Sequence, residues 1–384
     1  MVFDCCKWDT QVEHVQTLAP YPLLLSAACW RHLSTIAESL TSEVLAAETE
    51  ILERPELLEK LGLPRAVRRA FARRPGPVSR GVARVTRFDF HLTTAGWCIS
   101  EANTDVPGGF IESSGFPVLM ARHYGGTAPV GDPAGAYVVA LQHSTGPSPE
   151  VALVHATAYS DDHQVMRYLA RRLQDAGARP VLVSPAHISW ERGRAYVRAS
   201  WTAMTPAVLA RFFPAEWLPN LGRAARWEPF FVSGETPASN PASALVTQSK
   251  RFPLVWDELR TPLPTWRRML PETRDPRDAP WRHMQDWVLK PALGRVGEGI
   301  GLPGTTSMKD WRSIGRNVFW FPRSWAAQRR FEAQPLETSD GPRYPSVGVF
   351  TIDGRAVGAY GRIAPRPLID SRAQDIAILA VTAA

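Results

Sequence analysis

The stretch RFDFHLTTAGWCISEANTDVP, residues 87–107, decides how this chain is expected to fold. Its first half alternates polar and apolar side chains, which is the period of a half-buried strand. A second strand follows the turn around Gly96, so the segment predicts a β-hairpin. The side chains predicted to share one face are Arg87, Asp89 and His91 from the first strand and Ile99, Glu101 and Asn103 from the second.

The register of this hairpin depends on the length of its turn. A three-residue loop, Thr93 to Ala95, would place Gly96 in the left-handed position. Asp89 would then lie opposite Ile99 and would be a diagonal neighbour of Glu101, roughly 7–8 Å away at Cα. A four-residue loop would instead send Asp89 to the opposite face.

Asp89, Glu101 and Asn103 together offer two carboxylates and an amide oxygen. Mg²⁺ prefers oxygen ligands and usually completes its shell with water and substrate phosphates. The set therefore predicts a magnesium site and, with it, a nucleotide. A surface hairpin whose acidic residues pair with arginines is the alternative.

A second candidate site lies far downstream in WVLKPALGRVGEGIGL, residues 287–302. A short apolar strand ends at Lys290, and glycines follow at positions 294, 297, 299 and 301. A lysine followed by a loop whose backbone N–H groups can approach an anion suits the phosphates of a nucleotide. Glycines that only form turns are the alternative.

Two further residues are candidates for contacts to the nucleotide. Lys250 opens KRFPLVWDEL, residues 250–259, whose apolar residues fall at helical spacing. It would lie at the start of that helix, where it reaches into a cleft or is solvated. Gln328 lies where a connecting segment could meet the adenine, and an ordinary glutamine at a strand edge is the alternative.

Several segments, in the same order along the chain, resemble the synthetase domain of glutathionylspermidine synthases and their stand-alone homologues. Those proteins are ATP-grasp carboxylate–amine ligases. The segments are RFDF (87–90) with EANTDVPGGFIESS (101–114), ARFFPAEWL (210–218), KRFPLVWDEL (250–259), VLKPALGRVGEG (288–299) and VGVFTIDGRAVGAYGRIAPRPLIDS (347–371).

The resemblance implies an α/β (α+β) fold of the ATP-grasp type in a permuted order, with a Rossmann-like unit and N-terminal helices. In most ATP-grasp enzymes the lysines precede the metal carboxylates, whereas here the metal hairpin comes first. The implied roles are Mg²⁺ ligands for Asp89, Glu101 and Asn103, contacts to ATP phosphates for Lys250 and Lys290, and stabilisation of the transferring phosphoryl group for Arg87 and Arg362. From the residues themselves, we also expect Gly294, Gly297, Gly299 and Gln328 to contact the nucleotide.

We therefore expect an ATP-dependent ligase that forms an amide through an acyl phosphate and releases ADP and phosphate. A small-molecule kinase and a non-catalytic nucleotide-binding protein are the alternatives. We expect the synthetase domain alone, without the amidase domain of bifunctional relatives. The substrates would be a small carboxylate and an amine, such as an amino acid or a peptide, and residues 108–114 are the best candidate for part of the acceptor pocket. Glu112 in that segment would bind an amine or pair with an arginine.

The composition fits an enzyme of this size. The chain has 384 residues, of which 45% are hydrophobic, and a formal net charge of +7. Arginines between residues 65 and 84 cluster on a predicted helix, and we interpret them as a solvated face rather than a nucleic-acid stripe. No apolar run approaches the ~20 residues of a membrane span. We expect a cytoplasmic protein that binds neither nucleic acid nor membrane and forms a homodimer by default.

Four cysteines, at positions 5, 6, 29 and 98, do not form a secreted disulfide scaffold. Cys98 is predicted on the face opposite Glu101, in a buried apolar position. Changes in pattern predict N-terminal helices with the metal hairpin over residues 1–140, a Rossmann-like α/β unit over 141–245, and a nucleotide-binding lid with a C-terminal sheet over 246–384. Asp353-Gly354 predicts a two-residue hairpin turn.

Overall fold

The hairpin predicted from residues 87–107 forms one edge of an antiparallel sheet, which we call the central sheet. The computed structural model describes residues 1–8, 11–12, 15–73, 81–222, 225–232, 234–294, 297 and 299–381. In spatial order the strands of the central sheet are Gln374–Ile376, Arg355–Ala364, Gly341–Ile352, Val85–Thr93 and Gly96–Asn103, and Leu336–Thr338 pairs with one end of Gly341–Ile352. The sheet thus joins the early hairpin to strands from the last part of the chain.

The turn of the hairpin is shorter than predicted, and a β-bulge compensates for the difference. Thr93 pairs with Gly96, so the loop holds two residues rather than three. The register then shifts by one residue at Ser100, which is the extra residue of the bulge. Asp89 therefore lies directly opposite Glu101, and the predicted diagonal arrangement is wrong.

The bulge also changes which side chains share a face, because one extra residue inverts the alternation of a strand. Ile99 pairs with Phe90 and is fully buried, so the prediction that it shares a face with Glu101 is wrong. Cys98 pairs with His91 and lies on the face of the predicted metal ligands, although the sequence predicted the opposite face. Cys98 is also only partly buried.

The second hairpin of the central sheet agrees with its prediction. Ile352 pairs with Arg355, which leaves Asp353 and Gly354 as the two-residue turn. Their φ angles are +47° and +84°, the left-handed conformation that this kind of turn requires at both positions.

A parallel sheet forms the unit predicted to be Rossmann-like. Its strands, in spatial order, are Ala238–Ser239, Val208–Arg211, Glu150–Val154 and Arg179–Val183. The helix Ser160–Asp175 connects the last two of these, so this part of the chain forms a strand–helix–strand unit. An antiparallel meander of Ile188–Glu191, Arg194–Ala199 and Thr202–Met204 follows.

Smaller sheets complete the strand structure. The sheet that carries Lys290, which we call the lysine sheet, has the antiparallel order Thr273–Arg274, Trp325–Arg329, Trp287–Pro291. The others are Leu23–Leu25 with Ile378–Val381 and Thr127–Pro129, and the pair Gln11–Val12 with Val15–Gln16.

The helices lie around these sheets. The α-helices are Val2–Cys5, Ala27–Glu53, Arg65–Ala72, Phe116–Ala121, Pro133–Thr145, Ser160–Asp175, Leu245–Gln248, Pro264–Met269 and Met308–Trp320. The 3₁₀ segments are Pro55–Glu59, Pro185–His187, Ala215–Asn220, Glu228–Phe230, Ala242–Ala244, Phe252–Glu258 and Pro322–Ser324, and Ile111–Gly115 is a π-helical turn. The helix predicted after Lys250 is therefore a 3₁₀ helix.

The long helix Ala27–Glu53 supports the central sheet from one side, as its apolar period predicts. Its fully buried residues include Leu33, Leu40 and Val44. The hydroxyl of Thr41 lies 2.8 Å from that of Thr351 in the sheet, so the contact also has a polar component.

The predicted arginine-rich helix is confirmed as Arg65–Ala72, with Val67, Ala70 and Phe71 buried. Arg84 belongs to a different environment, because it is buried and pairs with Glu48. Arg74 and Arg80 lie outside the described residues. Across the helices of the described part of the chain, none combines the length and the apolar character needed to cross a membrane.

Candidate active site

A cavity of about 790 Å³ opens between the polar face of the central sheet, the lysine sheet and the N-terminal end of the helix Ser160–Asp175. The predicted site residues that line it are Arg87, Asp89, Glu101, Asn103, Lys290, Gly297, Gln328 and Arg362. Residues predicted from separate motifs thus meet around one space.

Arg87 and Asp89 form a two-point ion pair on the floor of the cavity. The Nε and Nη2 atoms of Arg87 donate to the two carboxylate oxygens of Asp89 over 2.7 and 2.9 Å. Gly348 of the neighbouring strand lies against this pair, because a Cβ atom there would be 2.8 Å from Oδ1 of Asp89. The guanidinium of Arg87 also lies over the ring of Tyr360, 4.8 Å from its centroid.

Glu101 is held as a carboxylate by lysines. The Nζ atom of Lys250 lies 3.0 Å from Oε2 of Glu101 and donates to the carbonyl oxygen of Gly294 over 2.9 Å. Burial alone would raise the pKa of Glu101, but Lys250 and Lys290 lower it to about 2. Lys250 therefore contacts the site by its ion pair with Glu101, and it links Glu101 to the start of the glycine loop.

Lys290 is buried with neutral acceptors around its ammonium group. Its Nζ atom donates to the carbonyl oxygen of Ser100 over 2.9 Å and to Oε1 of Gln328 over 2.7 Å. Burial lowers the pKa of Lys290 to about 8, and Lys250 adds to this effect while Glu101 opposes it. The bulge at Ser100 thus serves the site by supplying the carbonyl that holds Lys290.

Gln328 lies in the middle strand of the lysine sheet, so the alternative of an ordinary strand-edge residue is wrong. Besides accepting from Lys290, it donates from Nε2 to the hydroxyl of Thr273 over 3.0 Å. The side chain is 5% exposed and lines the cavity. Its direct contact is with the lysine, and the predicted contact with adenine stays a prediction.

The predicted magnesium ligands fit a cation in the chemistry of their donors. Asp89 and Glu101 lie directly opposite each other on two paired strands. The amide nitrogen of Asn103 donates to Asp89 over 3.1 Å, which leaves the amide oxygen of Asn103 out of this bond. Within the described residues, no group of three or more His, Cys, Asp or Glu side chains is placed to hold a metal ion. With two carboxylates, the site would need oxygens from phosphate and water, which Mg²⁺ commonly takes.

The glycine loop lies against the segment that follows Arg362. Gly297 and Gly299 have φ angles of +70° and +69°, which disfavour other residues. A Cβ atom on Gly297 would lie 2.5 Å from the carbonyl oxygen of Ile369. Arg295, Val296 and Glu298 of the predicted loop lie outside the described residues.

Arg362 enters the cavity from the strand Arg355–Ala364. Its Nη2 atom donates to the carbonyl oxygens of Asp370 and Ala373 over 2.7 and 3.1 Å. Its Nε atom is buried without a hydrogen-bond partner among the described residues and lies 3.8 Å from Asp375. Arg362 is thus positioned by backbone carbonyls beside Arg87 and Asp89.

Sequence reasoning missed a second charged group in the same cavity. The Nζ atom of Lys7 pairs with Glu112 and lies 3.0 Å from Oδ2 of Asp375. Tyr360 donates its hydroxyl to Asp375 over 2.7 Å. Glu112 therefore pairs with a lysine near the N-terminus, not with an arginine. No local pattern signals a contact between residues 7, 112 and 375.

Comparison with known proteins identifies the family. The family model described as glutathionylspermidine synthase preATP-grasp matches residues 10–376. The chain belongs to this family. Membership in a synthetase family supports a ligase in the broad sense, and it agrees with the resemblance drawn from the motifs. No protein of curated function matches the chain significantly.

Solved structures support the fold of this family member. A glutathione synthetase-like effector from Globodera pallida superposes with a TM-score of 0.65 at 11% sequence identity, covering 98% of this chain and 92% of the other. A candidate gamma-glutamylcysteine synthetase from Methylobacillus flagellatus gives a TM-score of 0.47 at 12% identity, covering 93% and 89%. The first likeness confirms the mixed α/β fold of ATP-grasp synthetases, and the second is too low to support a shared fold.

Proposed function

We propose that this family member is an ATP-dependent carboxylate–amine ligase that works through an acyl phosphate. The observation that supports it is the meeting of a carboxylate pair, a buried lysine and two arginines around one cavity. A carboxylate, an ammonium ion and ATP would give an amide, ADP, hydrogen phosphate and one proton, so atoms and charge balance.

The phosphate half of the cavity would lie between the lysine sheet and the hairpin. Lys290 and Lys250 would neutralise phosphate oxygens, and Asp89, Glu101 and Asn103 would hold Mg²⁺. When bound, the ion would spread the negative charge of the transferring phosphoryl group. The purine would fit against the apolar part of the lining, which is formed by Val288, Ile300, Leu302 and Phe331.

Arg87 and Arg362 would act on the reacting groups. A substrate carboxylate oxygen would attack the γ-phosphorus, and the bond to ADP would break. The amine would then attack the carbonyl carbon of the acyl phosphate, and phosphate would leave with the C–O bonding electrons. Two fixed guanidinium groups near these atoms would stabilise the negative charge that develops on oxygen. The glycine loop around Gly297 would keep water away from the mixed anhydride.

The acceptor half would lie beyond Tyr360, where Glu112 and Asp375 face the cavity. An amine is mostly an ammonium ion near neutral pH, and two carboxylates are suitable partners for it. The amine must lose a proton before it attacks. Burial raises the pKa of Glu112 above the ordinary value of a glutamate, so this carboxylate is suited to accept that proton.

The test is ADP release across a panel of carboxylates and amines, with mass spectrometry of the products. We expect ADP release to require both a carboxylate and an amine, and the product mass to be their sum less one water. Glu101→Gln should abolish turnover without unfolding the protein. Glu337→Gln is the control, because Glu337 is an exposed carboxylate on the same sheet and should change nothing.

Other outcomes would point to other functions. A kinase would release ADP without any amine and leave a stable phosphorylated product. Binding of ATP without turnover across the whole panel would indicate a non-catalytic nucleotide-binding protein. Full activity in a folded Glu101→Gln protein would remove the metal assignment.

A further inference from the structure

We propose that the Lys7 side chain is a tethered occupant of the ammonium position between Glu112 and Asp375, and that a cationic amine substrate must displace it. The inference rests on the proposed function, because it concerns access to the acceptor half of the same cavity.

Lys7 occupies this position with the contacts that a substrate ammonium would make. Its Nζ atom pairs with both carboxylates, and the three side chains are 13%, 8% and 11% exposed for Lys7, Glu112 and Asp375. Tyr360 fixes Asp375 from the other side. A lysine side chain is chemically equivalent to a butylammonium ion. A primary alkylammonium could therefore make the same hydrogen bonds to the two carboxylates.

The position lies next to the reacting groups. The ring of Tyr360 separates it from Arg87, whose guanidinium stacks on that ring at 4.8 Å. Arg362 lies 3.8 Å from Asp375. An amine bound in place of Lys7 would therefore be one side chain away from both arginines, which is where the proposed acyl phosphate would form.

The segment that carries Lys7 is short and lies largely at the surface. Residues 1–8 contain a four-residue helix, Val2–Cys5, and Phe3 is 88% exposed. Cys5 is buried against Gly115, and the backbone N–H of Trp8 donates to Gln164 over 2.7 Å. Arg171 also donates from Nη1 to the carbonyl oxygens of Phe3 and Asp4 over 2.9 and 3.3 Å, and the ring of Trp8 lies 6.0 Å from that of His163. Apart from that of Cys5, these contacts are exposed or partly buried, so the segment can open without unfolding the rest of the protein.

Exchange of one ammonium for another keeps the charges balanced. Removing Lys7 without a replacement would leave two partly buried carboxylates side by side, which is costly. A cationic amine that enters as Lys7 leaves avoids this cost. Lys7 would thus keep the acceptor half closed and its two carboxylates paired until an amine arrives, and it would raise the amine concentration needed for half-saturation.

The first experiment uses the wild-type protein without ATP, so it does not depend on turnover. Hydrogen exchange of the N-terminal peptide is measured by mass spectrometry at rising concentrations of n-butylammonium chloride. We expect exchange at Lys7 and Trp8 to accelerate and to saturate. Tetramethylammonium chloride at equal ionic strength is the control, because it has no N–H donor, and it should have no such effect.

The second experiment compares variants by calorimetric titration with n-butylammonium. Lys7→Ala should bind it roughly tenfold to a hundredfold more tightly than the wild type, as expected when an internal competitor is removed. Lys309→Ala is the matched control, since Lys309 is exposed on the helix Met308–Trp320, and it should behave as the wild type. Adding Glu112→Gln to Lys7→Ala should abolish the gain.

The proposal is overturned if Lys7→Ala gains no affinity while remaining folded. Should Lys7→Ala fail to fold, the exchange experiment decides, and an N-terminal peptide unaffected by n-butylammonium overturns the proposal. If the amine displaces Lys7 but no pair of acid and amine supports ADP release, Lys7 does occupy an ammonium-binding position and the ligase proposal has failed. The two failures are therefore distinguishable.

Discussion

Gly348→Ala is expected to weaken the site while the protein stays folded. Gly348 pairs with Asp89 across the central sheet, and a Cβ atom there would lie 2.8 Å from Oδ1 of Asp89 and 2.9 Å from Cδ of Arg87. Both atoms belong to side chains, so the Arg87–Asp89 pair must retreat by roughly half an ångström to reach ordinary contact. Overpacking of this kind typically costs about 1–3 kcal/mol.

The same displacement should also weaken the site. A misplacement of about 1 Å in a catalytic site can cost roughly a hundredfold in rate, so half of that distance predicts roughly a tenfold effect. Because MgATP binding does not require the unidentified substrates, calorimetric titration with MgATP is the assay, with thermal unfolding measured in parallel. We expect roughly tenfold weaker binding and a modest fall in Tm.

Two other alanine substitutions show whether the effect is specific. A Cβ atom on Gly125 meets nothing within 4 Å, so Gly125→Ala should leave both Tm and MgATP affinity unchanged. A Cβ atom on Gly361 would press on the backbone oxygen of Ile376, which cannot turn away as a side chain can, so Gly361→Ala should lower Tm more than Gly348→Ala does. Wild-type MgATP affinity in Gly348→Ala would refute the placement of Asp89 at the nucleotide.

Two more predictions concern a buried carboxylate and a positioning residue. Burial alone would raise the pKa of Glu50, but hydrogen bonds from Arg260 and Thr261 lower it to about 2. Since this pKa is below its ordinary value of 4.5, the stabilisation is present above about pH 4.5 and is lost as the pH falls towards 2. Glu50→Gln should therefore lower the free energy of unfolding by about 1–2 kcal/mol at pH 6, allowing for solvent screening, and by much less at pH 3. Urea unfolding at both pH values checks this, and an equal loss at the two would contradict it. Gln328→Leu removes the side-chain acceptor of Lys290 and should weaken MgATP binding roughly tenfold, while Gln334→Leu, an exposed control, should not. A Gln328→Leu protein that binds MgATP normally would show that Gln328 does not position Lys290.

Local patterns predicted the local parts of this structure well. The Asp353-Gly354 turn follows from a two-residue pattern, and the arginine-rich helix Arg65–Ala72 follows from the spacing of its side chains; both are present as expected. The hairpin of the predicted metal ligands was also expected, but its register was not. A β-bulge is set by what the strand must contact, and at Ser100 that contact is Lys290, which lies in a different sheet.

The acceptor half of the cavity could not be predicted for a related reason. Lys7, Glu112 and Asp375 come from opposite ends and the interior of the chain, and no period or spacing links them. Glu112 was singled out because it follows the predicted metal ligands, and its partner was expected to be an amine or an arginine. The identity of a long-range ion pair depends on how whole units pack, which a single sequence does not encode in any short window.

The antiparallel central sheet explains how groups far apart in the sequence can build one site. In sequence, Asp89 and Glu101 come before Lys250 and Lys290, whereas Arg362 comes last. The strand Gly341–Ile352 pairs with Val85–Thr93 on one side and with Arg355–Ala364 on the other, so the first and last of these groups become neighbours. Sequence order therefore places few limits on the site, because what matters is that the hairpin and the strand of Arg362 flank the same central strand. Gly348 lies in that strand between them, and its missing side chain leaves the space in which Arg87 and Asp89 meet.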